Sequence, residues 1–152
     1  MSLQDKVMTE MKAAMRAKDS NKLEALRAVK SAILLAQTDT SSRDGLSEDE
    51  ELKLLQRLVK QRKESAAIYT EQGREDLAQP ELDQAAVIEE FLPEQMSEEE
   101  IEAEVEKIIT QTGALGMQDM GKVMGAASKE LAGRADGKTI STVVKKKLAA
   151  RG

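Results

Sequence analysis

Residues 47–73 read SEDEELKLLQRLVKQRKESAAIYTEQG, and this stretch decides the fold. Ser47 followed by Glu50 forms a capping box, in which the Ser oxygen and the Glu carboxylate satisfy orphan backbone donors reciprocally. Leu52, Leu55, Val59, Ala66 and Tyr69 then recur three, four or seven apart, the period of one helical face. Lys53, Arg57 and Lys60 share another face, and Gly73 suits the left-handed residue that closes a helix. The spacing predicts one long helix from about Ser47 to Gln72.

Upstream, Thr38 to Gly45 is polar and reads as a loop. A second helix precedes it, with Leu26, Val29, Ile33 and Ala36 in one stripe, Leu23 and Leu34 widening it, and Asp19-Ser20-Asn21 as capping candidates. The first helix is expected from Ser2 to Lys18 on Leu3, Val7, Met8, Met11 and Met15. Downstream, a fourth helix lies between Glu75 and Glu90. Pro80 suits a first turn better than an interior, which puts the start of the helix proper near it. Leu92-Pro93-Glu94-Gln95 interrupts helical bonding, since a residue before proline is pushed out of the α region. Ser97 and Glu100 form a second capping box, opening a helix that turns Ile101, Val105, Ile108 and Ile109 inward. Gly113 and Gly116 close it. A helix from Gln118 to Leu131 uses Met120, Val123, Met124, Ala127 and Leu131. After a turn at Gly133–Gly137, a last helix carries Ile140, Val143, Val144 and Leu148. The reading is all-α: about four helices over residues 1–92, then a three-helix unit over 95–152.

Composition agrees. The chain of 152 residues holds one Tyr, one Phe, no Trp and eight Met, so its core must be aliphatic. Lack of Cys and His removes disulfides, thiolate sites, Ser-His and Cys-His nucleophile pairs and the usual zinc ligands. No GxxxxGK[ST] loop is present. Adjacent carboxylates such as Glu98-Glu99-Glu100 point to different helix faces and read as acidic first turns favoured by the helix dipole. No catalytic residue, metal or cofactor is expected. The N-terminus opens directly into polar helical pattern, which predicts no signal peptide, no membrane span and a cytoplasmic protein.

Charge is distributed unevenly. Residues 121–152 hold eight basic side chains against Glu130 and Asp136, a balance of +6, whereas residues 75–106 hold thirteen carboxylates and no Lys or Arg. Such polarity orients a protein relative to a charged partner. The scarcity of aromatics excludes a nucleic-acid reader that stacks bases on rings. Gly121 and Gly125 lie four apart on one helical face, where each costs about 1 kcal/mol relative to Ala. Either tight packing within the three-helix unit or a contact surface explains them. The three consecutive lysines Lys145-Lys146-Lys147 fan around the last helix.

Gly73-Arg74-Glu75-Asp76-Leu77-Ala78, Phe91-Leu92-Pro93-Glu94-Gln95, Met120-Gly121-Lys122-Val123-Met124-Gly125, the Gly133–Lys138 turn and the terminal Val-Lys helix together resemble the GatB/YqeY family, in particular its short stand-alone members. Two positions depart from the family pattern: Pro80, where a helix former is expected, and Phe91, where the family often has Tyr. The resemblance covers nearly the whole chain. It implies a C-terminal unit similar to the tail of the tRNA-dependent amidotransferase B subunit, which helps to hold tRNA. It also implies a family label of carbon–nitrogen ligase with glutamine as amido-N donor, of which this chain supplies a binding part and no stand-alone catalysis. The expected partner is tRNA or a tRNA-metabolism protein, held by Lys122, Lys129, Arg134, Lys138, Lys145 and Lys146, with Gly121 and Gly125 on the close-packing or contact helix. The other expectation is a protein–protein interaction module with no nucleic acid, motivated by the carboxylate block and the small-residue helix face.

Overall fold

Three helix starts in this protein follow side chains able to satisfy orphan backbone donors. The computed structural model describes residues 2–39 and 45–151. Ser2, Ser47 and Ser97 each accept a hydrogen bond from the backbone three residues on, while Asp5, Glu50 and Glu100 accept from the backbone N–H of the capping Ser. These boxes open α1 (Leu3–Ala17), α3 (Glu48–Glu71) and α5 (Glu98–Thr112). Between them lie α2 (Ser20–Asp39) and α4 (Glu75–Glu89), and the chain ends with α6 (Met120–Glu130) and α7 (Gly137–Arg151). No strand occurs among the described residues, and no helix there is long and apolar enough to cross a membrane. Gly73 and Gly113 take φ of +74° and +69°, which lets the chain leave α3 and α5 without strain on a Cβ.

The chain divides into two compact units, Met1–Pro93 and Glu94–Gly152. The first packs α1 to α4 around Val7, Leu26, Val29, Ile33, Leu55 and Ile88, each no more than 1% exposed. Within it Gln84 of α4 is buried and lies in a polar relay. Arg62 Nε of α3 donates to Gln84 Oε1 at 3.1 Å, Gln84 Nε2 donates to Asn21 Oδ1 of α2 at 2.8 Å, and Asn21 Nδ2 donates to the Pro80 carbonyl at 3.1 Å. A buried amide costs stability unless bonded, so the relay fixes the register of three helices.

Two boundaries and one buried face in this unit differ from the sequence reading. Helix α2 continues through Thr38 and Asp39; residues 40–44 of the expected loop lie outside the described residues, and Gly45 at its end is non-helical with φ of +80°. Helix α4 begins at Glu75 and takes Pro80 into its interior. Proline there forfeits one bond, to the Asp76 carbonyl, and the buried Ala78, Ala85 and Ile88 hold the helix regardless. In α3, Leu54 and Leu58 are buried while Leu52 and Tyr69 are only half-buried, because α3 packs on both α2 and α4 and needs a buried arc wider than one stripe.

The second unit packs α5, α6 and α7 around Val105, Ile109, Val123, Ala127, Val144 and Leu148, all 0% exposed. Its entry is pinned by Met96 N–H, which donates to the Arg134 carbonyl at 2.9 Å, and by Gln95 Nε2, which donates to the Gly133 carbonyl at 2.7 Å. Helix α6 starts two residues later than expected. Met117–Asp119 forms a 3-10 turn in which Asp119 Oδ2 accepts from the Leu115 N–H at 2.9 Å and so does not cap α6.

Candidate nucleic-acid interface

Three helices set the surface of the second unit, and opposite charges meet on it where α5 faces α7. The +6 of residues 121–152 is offset once α5 is packed alongside. Residues 94–152 hold nine Lys and Arg against ten Asp and Glu, a balance of −1. On α7, one face is taken up by α5 carboxylates: Lys146 Nζ lies 3.2 Å from Glu102, while Lys147 Nζ and Arg151 Nη2 lie 3.5 and 2.9 Å from Glu106. Each pair is partly exposed and contributes little by itself. Together they tie α7 to α5, although the Lys146 side chain stays largely exposed.

The remaining expected contact residues separate into two groups. Lys122 Nζ donates to the Thr112 carbonyl at 3.0 Å and so ties α6 to the end of α5, while Arg134 Nε donates to the Glu94 carbonyl at 3.3 Å and fastens the start of the unit. Lys129, Lys138 and Lys145 are exposed and have no carboxylate within ion-pair distance among the described residues. Lys138 and Lys145 are seven apart on α7 and share a face. Lys129 sits in the last turn of α6, where a cation complements the helix dipole.

Gly121 and Gly125 are exposed, and a Cβ built on either would meet nothing within 4 Å. Internal packing therefore gives no reason for glycine at these two positions. Beside them, Leu115 is 74% exposed and Met117 is also solvent-facing. Sequence reasoning missed Glu102, Glu106, Lys147 and Arg151 as members of this surface. The pairs join residues more than forty apart, which no local periodicity reports.

The Arg151 guanidinium, hydrogen-bonded to Glu106, holds that carboxyl below the usual carboxylate range, and Lys147 adds to the effect. A lowered folded-state pKa means that the pairing contributes stability above the ordinary carboxylate pKa and loses it as pH falls through the lowered value. A carboxyl NMR titration should show Glu106 titrating below its ordinary range. Arg151→Ala should return the midpoint most of the way toward ordinary. An unchanged midpoint would show that the pair does not form in solution.

Fold and surface define an all-α protein of two helical units, the second cross-braced by ion pairs. The chain belongs to the family described as Yqey-like protein, whose model matches residues 4–148. It is 42% identical over 73 residues to one subunit of the glutamyl-tRNA(Gln) amidotransferase of Thermococcus gammatolerans, a match covering 45% of this chain and 12% of that protein. It is 34% identical over 104 residues to the altered inheritance of mitochondria protein 41, mitochondrial, of Kluyveromyces lactis, covering 66% of this chain and 55% of that protein. The chain thus spans about half or less of the length of these curated relatives.

Proposed function

We propose that this chain is a non-catalytic, tRNA-associated helical binding module, related to glutamine-dependent tRNA amidotransferases and acting in the cytoplasm. The observation that carries the reading is the match to part of a protein named as belonging to a tRNA amidotransferase. That match takes in 12% of the relative, a share that suits one accessory module. Lys129, Lys138 and Lys145 are the primary phosphate contacts, because no carboxylate has to be displaced from them. Lys122, Arg134 and Lys146 are secondary, since each must first leave an internal partner. The open face at Gly121 and Gly125 admits a sugar–phosphate backbone close to the helix. Recognition is by shape and phosphate, since the chain has almost no rings on which to stack bases.

The −1 balance of residues 94–152 supports a second reading, a protein-interaction module that uses no nucleic acid. Copurification from the protein's own cell extract, with and without ribonuclease, separates the two. Partners lost on ribonuclease treatment support the tRNA reading. A defined protein partner retained after treatment, with no RNA in the untreated eluate, overturns it.

A further inference from the structure

In the first unit, the C-terminal half of α2 and the N-terminal half of α3 leave between them a groove of about 370 Å³. Its floor is aliphatic, built from Leu35, Ala36, Leu46 and Leu54. Leu54 is buried, but Leu35 is 65% exposed, an apolar side chain left open among the described residues. Lys53 and Arg57, one turn apart, form part of the α3 wall, and Lys60 continues their row at the next turn. None of the three has a carboxylate within ion-pair distance among the described residues, whereas Lys22 and Lys63 of the same unit do. Two carboxylates also line the groove. Glu50 is engaged by the Ser47 N–H at 3.2 Å in the capping box, and Asp39 lies at the C-terminal end of α2. Away from that end, the lip of the groove is cationic.

We propose that this groove docks an acidic amphipathic helix of a partner protein, with aliphatic side chains set on Leu35, Ala36 and Leu54 and carboxylates directed to Lys53 and Arg57. An apolar floor edged by unpaired cations is the complement of such a helix, which presents apolar anchors every three or four residues with charge flanking them. A phosphate backbone would satisfy the two cations but leave Leu35 in water, so the floor favours protein over nucleic acid. The site lies in the first unit and stands independently of the tRNA reading of the second.

The test uses the isotopically labelled full chain, titrated with a designed helical peptide bearing leucines on one face and glutamates flanking them. A matched peptide with lysines for glutamates, a short single-stranded RNA and sedimentation of the chain alone complete it. The glutamate peptide should shift backbone resonances at residues 32–36 and 53–57, and the lysine peptide should not. Leu35→Asp, and separately the pair Lys53→Glu and Arg57→Glu, should each weaken the glutamate peptide roughly tenfold. These positions are exposed, so the substitutions leave the core intact. Any of four outcomes overturns the proposal: no shift, equal shifts from both peptides, stronger shifts at the same residues from RNA, or self-association of the chain that Leu35→Asp abolishes.

Discussion

Replacing Lys129, Lys138 and Lys145 together by Glu is expected to remove most of the chain's affinity for folded tRNA. Each phosphate neutralised by a lysine contributes about 0.9 to the slope of log affinity against log salt, so three lost contacts flatten the slope by about 2.7. Charge reversal adds repulsion to the loss, and at low salt the combined effect should reach roughly a hundredfold. Lys146→Ala should do much less, because Lys146 already faces Glu102 at 3.2 Å and its release also frees a carboxylate beside any bound phosphate. The ordering is the informative part. If Lys146→Ala costs as much as the triple change, the ion-paired face of α7 is the one that meets the ligand, and the assignment of primary and secondary contacts is wrong.

Leu148→Ala is expected to unfold much of the second unit while leaving the first intact. Leu148 is 0% exposed among Val105, Ile109 and Val144, and such truncations cost about 2–5 kcal/mol. A unit confined to residues 94–152 commands only about 3–9 kcal/mol by the usual per-residue scale, so one cavity consumes a large share. Denaturant unfolding followed by circular dichroism should show a new early transition with roughly the amplitude of α5 to α7. The main transition should stay in place. A single cooperative transition shifted as a whole would mean that the two units share their stability, and the second could not then act as an independent binding head.

Local chemistry made most of the fold legible. Ser47 with Glu50 and Ser97 with Glu100 mark helix starts, because the side chains that cap are the ones that signal. Gly73 and Gly113 mark ends for an equally local reason, their positive φ. The readings that missed depended on neighbours distant in sequence. Pro80 sits inside α4 because tertiary burial of Ala78, Ala85 and Ile88 outweighs one lost hydrogen bond. Leu54 and Leu58 are core because α3 packs on two helices at once. For the candidate surface, residue type was legible but pairing was not. A +6 tail reads as a basic face only until Glu102 and Glu106, on a helix more than forty residues earlier, are laid against it. The exposure of Gly121 and Gly125 was likewise beyond local pattern, since the same spacing serves an internal contact or an open face.

The most direct test of the central claim is fluorescence anisotropy of labelled, folded tRNA titrated with the intact chain from 50 to 200 mM salt. Contacts from Lys129, Lys138 and Lys145 alone predict saturable binding that weakens about fortyfold over that range, with a steeper loss if the secondary cations join. No binding at the lowest salt, or an affinity that does not change with salt, would contradict a phosphate-directed tRNA module.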